Sequence, residues 1–343
     1  MRIPDLKRRL RDAGAGPLHQ QRILRTWAQA LPRDSGNGRR TDTFFPAALQ
    51  AALPAIDAEL AALARIDTAH PGADGSERLL VALADGQTVE SVLLPRGGLC
   101  VSSQVGCAVG CRFCMTGRDG LLRQVGGAEI VAQVVLARQR RAVRKVVFMG
   151  MGEPAHNLDN VMDAIELLGT AGGIGHKNLV FSTVGDPRAF ERLQQAAVKP
   201  ALALSLHTTR ADLRRALLPR APDLSPQALV DAAERYARAS GYPVQYQWAL
   251  LAGVNDGDDE IEGLVRLLTG KYAVLNLIPF NAVDGVAYAR PTRERCEAMA
   301  RRLQQRGVLT KLRWSAGQDV DGGCGQLRAR AATAPVVLHR TPV

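Results

Sequence analysis

Residues 99–114 read LCVSSQVGCAVGCRFC, which places three cysteines directly after a short apolar strand. Cys107, Cys111 and Cys114 follow one another at spacings of four and three residues, so their thiols can fold around one inorganic centre. A structural zinc site ordinarily takes four protein ligands, often from two Cys-x-x-Cys pairs, and the sequence has no second pair. A 4Fe–4S cluster also usually takes four cysteines, so three thiolates would leave one iron open.

Downstream of this stretch, strand-like runs alternate with helical patterns over about 220 residues, which is typical of stacked βα units and a parallel sheet, open or closed into a barrel. The predicted strands are Leu99–Ser103, Lys145–Met149, Leu179–Ser182, Ala201–Leu206, Val244–Leu250, Val274–Pro279 and Thr310–Trp314. The predicted helices are Ala128–Arg138, Leu158–Leu168, Pro226–Ser240, Asp258–Leu268 and Arg293–Arg306. Sites in such folds lie at the C-terminal ends of the strands. Polar residues follow these ends at Glu153, Ser182, His207, Asn255 and Asn281.

The region before the cysteines has a different character. Residues 1–64 are predicted to be helical, with an apolar face over Leu18–Leu31, a Gly/Arg-rich break at Ser35–Thr43 and a further helix at Pro46–Ala64. Arg78–Pro95 predicts two strands around the turn residues 84–86.

Composition limits the class of protein. The chain has 343 residues and a net charge of +11, and residues 1–45 hold ten basic and four acidic side chains. Such a balance fits a polyanion-binding protein or simply a solvated basic surface. Aromatic residues make up 4%, which disfavours extensive base stacking. No stretch reaches the ~20 apolar residues of a membrane helix, and the charged N-terminus does not read as a secretory signal. We therefore expect a cytoplasmic protein without membrane contact.

A second motif, Gly150-Met-Gly-Glu-Pro154, follows the strand at residues 145–149. Its glycines let a ligand approach the backbone, although an ordinary strand-end turn would read the same. Further segments occur in order along the chain: residues 89–92 (VESV), 100–107 (CVSSQVGC), 182–185 (STVG), 205–207 (SLH), 276–281 (NLIPFN) and 324–327 (CGQL).

Together these segments resemble the dual-cysteine radical S-adenosylmethionine (SAM) methyltransferases that modify adenine in ribosomal and transfer RNA. The resemblance runs from about Glu90 to Leu327. It implies an α/β fold, a partial (βα)6 barrel with a small helix-hairpin-helix-like N-terminal domain. The implied division is a basic RNA-binding domain at 1–64, a β-hairpin connector carrying Glu90 at 65–98, and a barrel with a C-terminal catalytic loop at 99–343.

The resemblance also implies a mechanism that uses two SAM molecules per turnover. Cys324 takes a methyl group from the first. The second binds a 4Fe–4S cluster held by Cys107, Cys111 and Cys114. A radical derived from this second SAM activates the methyl group on Cys324, which then adds to adenine at carbon 2 or, as the alternative, at carbon 8. Glu90 accepts the ring proton, and Cys100 attacks Cys324 to form a transient disulfide that releases the product.

The resemblance assigns SAM contacts to seven positions. They are Gly152, Glu153, Ser182, Ser205, Leu206, His207 and Asn281. Each assignment has a simpler alternative: an exposed strand-edge glutamate for Glu90, a core cysteine for Cys100, a free turn cysteine for Cys324 and a satisfied strand-end histidine for His207. The triple-glycine setting of Cys324, residues 321–325, gives the flexible loop that such a thiol needs. Cys296 is interpreted as core.

The expected partners are RNA and a flavodoxin-like electron donor, and the protein is expected to be a monomer. Residues Gln247-Trp248 stand where the family has Glu-Tyr, which indicates a divergent branch and leaves the RNA substrate open. The alternatives are a radical SAM enzyme acting on a small molecule or a protein, and a zinc-bearing RNA-binding module.

The basic N-terminal region yields the first prediction. Replacing Arg8, Arg9 and Arg11 with glutamine should weaken RNA binding and flatten its salt dependence, because phosphate contacts release counterions. Equilibrium binding measured over a series of salt concentrations tests this. Unchanged affinity at every concentration would remove these residues from the RNA-binding surface.

Overall fold

The computed structural model describes residues 1–35, 41–283 and 285–329, with Thr41 and Asp42 described by their backbone alone. Within these ranges the strands are β1 Ala64–Pro71, β2 Glu77–Leu83, β3 Thr88–Leu94, β4 Gly98–Cys100, β5 Gln104–Gly106, β6 Leu121–Gln124, β7 Lys145–Phe148, β8 Leu179–Thr183, β9 Ala201–Ser205, β10 Val244–Leu250, β11 Ala273–Pro279 and β12 Thr310–Leu312. The helices are α1 Ile3–Asp12, α2 Pro17–Ala28, α3 Thr41–Phe44, α4 Ala47–Ala62, α5 Gly127–Arg140, α6 Leu158–Gly169, α7 Pro187–Gln195, α8 Ala211–Leu217, α9 Pro226–Ser240, α10 Asp258–Leu268 and α11 Arg293–Gln305.

One sheet carries the fold, in the order β1-β2-β3-β4-β7-β8-β9-β10-β11-β12. From β4 to β12 every pairing is parallel, and at least one helix connects each strand to the next. All seven strands and all five helices predicted for this region are present, so the predicted α/β class is confirmed. The short helices α7 and α8 were not predicted.

The inner face of the sheet can be read from the register. Cys100 lies opposite Val147, Val147 opposite Val180, and Ser182 opposite Ala203. Because side chains alternate along a strand, the residues two positions away share this face. Ser205 lies on it, opposite Gln247. The strand register therefore places Cys100, Ser182 and Ser205 on one face of the sheet, although more than 100 residues separate Cys100 from Ser205 in the sequence.

An antiparallel extension continues the sheet on the N-terminal side. Strand β3 pairs antiparallel with β4, and β2 pairs with both β1 and β3. The predicted hairpin is therefore present, but β1 was missed. It is largely half-exposed and contains an irregularity between Ile66 and Thr68, so its apolar alternation is weak. The proposed domain boundaries remain a prediction.

The two edges of the sheet approach each other. The backbone amide of Ala73, in the β1–β2 turn, donates to Asp319 at 2.8 Å, and the amide of Gly317 donates to Asp74 at 3.0 Å. Asp319 and Gly317 lie in the segment after β12, residues 313–329, which we call the closing loop. Since β1 and β12 are opposite edges of the sheet, these contacts mean that it curls into an incomplete barrel.

The N-terminal helices pack on α5 and α6. Gln29 donates to the Ala171 carbonyl at 2.7 Å, and Arg2 pairs with Asp163 at 3.3 Å. Within the predicted break, Thr41–Phe44 forms a short helix, and residues 36–40 lie outside the described part of the chain. None of the helices in the described ranges is both long and apolar enough to cross a membrane.

Gln133 of α5 fixes the helix to the sheet. It is fully buried, accepts from the Ser91 hydroxyl at 2.8 Å and the Ser102 amide at 2.9 Å, and donates to the Ser102 carbonyl at 2.9 Å. Gln133→Ala leaves these buried groups without partners, so the free energy of unfolding should fall by about 3 kcal/mol. Urea unfolding measures this. The exposed Gln139→Ala on the same helix is the matched control, and an equal loss in both variants would contradict the assignment.

Candidate active site

The three motif cysteines lie in a loop at the C-terminal end of the parallel strands. Cys107 is buried, and Cys111 and Cys114 are half-buried. The loop begins tightly: Gly106 has φ +77°, and a Cβ there would lie 2.0 Å from the Gly120 carbonyl oxygen, so only glycine fits. The charges of the three thiols interact with one another, which shows that the loop brings them together.

The surroundings of this loop are apolar. The thiols pack with a separate hydrophobic cluster whose buried side chains are Val109, Phe113, Val184, Leu217, Leu218, Leu251 and Phe280. Burial raises the pKa of Cys107 to about 12 and that of Cys111 well above its usual value. Thiolates in such a place require a strongly positive ligand. An iron–sulfur cluster meets this requirement, so the residues fit that group.

In the described ranges no three His, Cys, Asp or Glu side chains converge on a single metal ion. The cysteines of an iron–sulfur cluster bind different irons, so their sulfurs need not meet at one point.

The Gly-Met-Gly-Glu-Pro segment lies against β4 and the residues that follow it. A Cβ at Gly150 would lie 2.7 Å from Ser102 Oγ, and one at Gly152, whose φ is +104°, would lie 2.6 Å from the Cβ of Gln104. These glycines therefore serve close backbone packing in this chain.

Glu153 is buried at the end of this segment. Its carboxylate accepts from the amides of Ala155 at 3.1 Å and Val184 at 3.0 Å, so it joins the ends of β7 and β8. Burial raises the pKa of Glu153 to about 7, although hydrogen bonds from Thr183 and the two amides oppose the increase. Its charge also acts on Cys107 and Cys111, which places it beside the cysteine loop.

His207 follows β9 and Leu206 and has φ +63°, an unusual conformation for a non-glycine residue. Its Nδ1 accepts from the Ala249 amide at 3.0 Å, and its ring packs edge-on against Phe113 with centroids 4.8 Å apart. Burial, and then the charge of Arg214, lowers the pKa of His207 to about 3, so the ring is neutral. The backbone thus satisfies Nδ1 of His207, and the ring also packs against Phe113 of the cysteine loop.

Cys324 lies in the closing loop, and several contacts hold it over the site. Its carbonyl accepts from the Asn281 side chain at 3.0 Å, and the same amide group donates to Ser315 at 2.9 Å. The Ser315 hydroxyl accepts from the Cys324 amide at 3.4 Å. The Gly325 carbonyl accepts from the amide of Met115 at 2.8 Å, which ties the loop to the residue after Cys114. Cys324 is exposed to solvent, although protein atoms surround its thiol closely enough to raise its pKa.

The two predicted catalytic cysteines lie near each other. Cys100 is buried on the inner face, where burial, and then the charge of Cys324, raises its pKa to about 12. Burial also raises the pKa of Cys324, which the hydroxyl of Ser315 and the charge of Arg313 partly oppose; the charge of Cys114 acts on it as well. Cys324 consequently lies within electrostatic range of both Cys100 and the cysteine loop. Neither of these two thiols forms a disulfide bond within the described residues.

Glu90 is buried on β3, so the alternative of an exposed strand-edge glutamate is wrong. One carboxylate oxygen pairs with Arg78, and the other accepts from the amides of Arg328 at 2.7 Å and Ala329 at 3.0 Å. These contacts anchor the end of the closing loop on the sheet. A carboxylate has about four lone-pair sites, so there is capacity for one further donor.

Two residues of the site were not found from the sequence. Arg214, on α8, is buried beside Val184 and Ser205, whose carbonyls accept from its guanidinium, and its charge interacts with those of Cys111 and Glu153. Burial lowers the pKa of Arg214 to about 10. Ser315 orients the Cys324 backbone. Arg214 lies on a seven-residue helix that is too short for a clear apolar period, and no sequence signal marks Ser315.

Comparisons with known proteins agree with this geometry. Residues 101–268 match the family model described as the radical SAM superfamily. A relative from Aromatoleum aromaticum, named a probable RNA methyltransferase, is 72% identical over 96% of this chain and 93% of its own length. One of the same name from Pseudomonas aeruginosa is 67% identical over 96% of both chains. This chain belongs to the radical SAM methyltransferases.

The structural comparison leads to the same family. The crystal structure of a radical SAM methyltransferase from Sphaerobacter thermophilus aligns with a TM-score of 0.82 and 34% identity, covering 96% of this chain and 98% of the other. The radical SAM methyltransferase described here is therefore an enzyme, and membership of the superfamily implies that it binds a 4Fe–4S cluster and SAM. The roles of the individual site residues remain predictions.

The buried, neutral His207 gives this enzyme a specific pH dependence. Between the unfolded pKa of about 6.5 and the folded value of about 3, the unfolded chain binds a proton that the folded chain does not, so acid destabilises the fold by about 1.4 kcal/mol per pH unit. His207→Gln should reduce the loss of stability between pH 7.5 and 5.5 by about 1 kcal/mol, as measured by urea unfolding. His176→Gln, in the turn before β8, is the control. If the His207 variant showed the wild-type pH slope, the ring would not be buried as a neutral group.

Proposed function

We propose that this radical SAM methyltransferase transfers a methyl group from SAM to a ring carbon of adenosine in ribosomal or transfer RNA. Carbon 2 is favoured over carbon 8, and two SAM molecules are used in each turnover. The relatives named probable RNA methyltransferases support an RNA substrate. The observation that carries the proposal is the position of Cys324, within electrostatic range of both Cys100 and Cys114.

A carbon of the adenine ring is a poor nucleophile, so the methyl group must be activated before transfer. Cys107, Cys111 and Cys114 would hold the cluster, and the cluster with SAM supplies a radical able to remove a hydrogen atom from a methyl group on Cys324. The apolar cluster around these cysteines excludes water, which protects such chemistry from side reactions. Gly152, Glu153, Ser182, Ser205, Leu206, His207 and Asn281 would line the SAM site.

Cys324 is suited to carry the methyl group because it is accessible in a glycine-rich loop. Asn281 and Ser315 hold its backbone, while its side chain is left to meet several partners in turn. Cys100 lies on the inner face of the sheet, within electrostatic range of Cys324. In this proposal the radical adduct gives up one electron to a carrier of the flavodoxin class and its ring proton to Glu90. The Cys100 thiolate then attacks the Cys324 sulfur, the bond between that sulfur and the linking methylene carbon breaks, and a disulfide forms. The released carbon takes up a proton and becomes the methyl group of the base.

Glu90 would accept the proton from the ring carbon. This role is supported by the position of Glu90 on the same face of the sheet as Cys100, and by its bonds to the amides of Arg328 and Ala329 at the end of the loop that carries Cys324. The basic N-terminal helices would hold the RNA backbone, a flavodoxin-like protein would supply electrons, and the enzyme would act as a monomer. Arg8 and Arg9 pair with Asp5 and Glu59, so RNA would have to compete with these carboxylates.

The deciding experiment uses the anaerobically reconstituted enzyme, methyl-labelled SAM, a reductant and unmodified bacterial RNA. Mass spectrometry of the digested RNA should show carbon-methylated adenosine, and its retention time and fragments separate carbon 2 from carbon 8. Label on Cys324 without label on any base would retain the mechanism and reject the RNA substrate. Formation of 5′-deoxyadenosine with neither labelled would favour a small-molecule or protein substrate.

Cysteine variants test the two thiols separately. Cys324→Ala should abolish label on both the protein and the RNA. Cys100→Ala should retain label on Cys324 and accumulate a covalent protein–RNA adduct, because the step that releases the base is missing. Cys296→Ala, in the core outside the site, is the matched control and should keep activity within about threefold of wild type, since a small core substitution costs little stability. Full turnover by the Cys100 variant would contradict the resolving role.

A further inference from the structure

Three cations outside the proposed methyl-transfer chemistry lie on the inner face of the sheet. Lys145 begins β7, Lys311 is the middle residue of β12, and Arg313 follows β12. Lys145 lies opposite Gly98, two residues from Cys100, and Lys311 lies opposite Asn276. The amide of Arg313 donates to the Leu277 carbonyl at 2.8 Å, which extends the β11–β12 ladder by one bond. The register therefore turns all three toward the interior of the incomplete barrel.

The curl of the sheet brings these cations together. Strands β7 and β12 are five steps apart in the sheet order, which would separate them by about 24 Å if the sheet were flat. Burial lowers the pKa of Lys145, and the charges of Arg313 and Lys311 lower it further. Lys145 thus lies within electrostatic range of the other two. We call the three residues the basic strip.

The basic strip has no anionic partner in the described part of the chain, where none of its members forms an ion pair or a side-chain hydrogen bond. Neighbouring arginines differ: Arg78 pairs with Glu90, and Arg140 pairs with Glu77. Like charges held together repel one another, so a bound anion would relieve the repulsion. Lys311 and Arg313 are exposed and Lys145 is half-buried, which leaves the strip accessible from solvent.

One member of the basic strip, Arg313, lies close to Cys324. The charge of Arg313 acts on Cys324 and opposes the increase in its pKa that burial causes. Arg313 is two residues from Ser315, which hydrogen-bonds the Cys324 backbone. Arg313 therefore connects the basic strip to the loop that holds Cys324.

We propose that Lys145, Lys311 and Arg313 bind backbone phosphates of the RNA segment that flanks the nucleotide methylated at Cys324. The inference rests on the proposed RNA substrate and adds the surface that brings the target base to the thiol. A chain of phosphates can pair with each of the three cations, whereas one small anion would have to bridge all three. Such contacts position the strand without reading its sequence.

The test compares Lys145→Gln/Lys311→Gln/Arg313→Gln with a control triple variant, Lys177→Gln/Arg192→Gln/Arg235→Gln. The control residues are exposed and form no ion pair in the described ranges, and they lie on the turn before β8, on α7 and on α9. Both variants lose three positive charges. Visible absorption of the reconstituted cluster and far-ultraviolet circular dichroism check folding, and the single variants Lys145→Gln and Arg313→Gln replace the triple variant if it fails either check.

Equilibrium binding of unmodified bacterial RNA is measured over a series of salt concentrations. The strip variant should bind at least about tenfold more weakly at low salt, and the slope of log K against log salt should decrease by about 2, since each phosphate contact to a single strand contributes about 0.7. The control should keep the wild-type slope within about 0.5.

Wild-type affinity and slope in the strip variant would overturn this inference alone, provided that the wild-type enzyme methylates RNA. Equal losses in both triple variants would overturn it too, because the effect would then come from total charge. If the wild-type enzyme neither binds nor methylates RNA, the proposed function fails together with the strip.

Discussion

The curl of one sheet is the constraint on which the site depends. The closing loop leaves β12 at one edge and bonds to the β1–β2 turn at the other through Asp74 and Asp319. It then returns along the opening to reach Met115, Glu90 and the inner face. If the sheet were flat, Cys100 on β4 and Cys324 in the loop after β12 would belong to strands six steps apart in the sheet order. The loop contacts and the curvature therefore support each other, and neither alone would bring the two thiols together.

Charged side chains are buried beside the cysteine loop, in surroundings that are largely apolar. Arg214 and Glu153 are both buried, and each satisfies backbone groups at the ends of neighbouring strands. The Nε of Arg214 has no partner in the described ranges, which is costly for a buried charged group. The three thiolates together with a cationic 4Fe–4S core would carry a net negative charge, which would interact favourably with this guanidinium. The apolar walls would also strengthen that attraction, because screening is weak where water is excluded.

The parallel part of the fold could be predicted because its signals are local. Runs such as residues 201–204 (ALAL) are apolar on both faces, as is usual for parallel strands buried on both sides. The cysteine spacing was equally direct, and the strand-end positions of Ser182, Ser205 and His207 followed from the alternation of strands and helices. The helix α8 was missed because its seven residues are too short for a clear apolar period. The half-exposed edge strand β1 was missed because its alternation is weak.

The tertiary contacts could not be predicted, since they depend on which distant segments meet. Trp248 illustrates this. In sequence it was a departure from the family pattern, whereas in the structure it is a fully buried side chain whose indole donates to the Asn255 carbonyl at 3.2 Å. The core therefore accommodates Trp248 at the position where the family has tyrosine. Of the two residues, only Gln247 faces the interior of the sheet, where it lies opposite Ser205 and Asn276.

The position of a functional basic surface also could not be predicted from composition. The net charge of +11 gives no location, and many arginines of this chain are held by nearby carboxylates. Ion pairs near the surface contribute little to stability, but they reduce the availability of a cation to an external anion. A functional basic surface is better recognised by cations that the fold gathers without partners. That property depends on strand register and sheet curvature, and neither can be counted from a sequence.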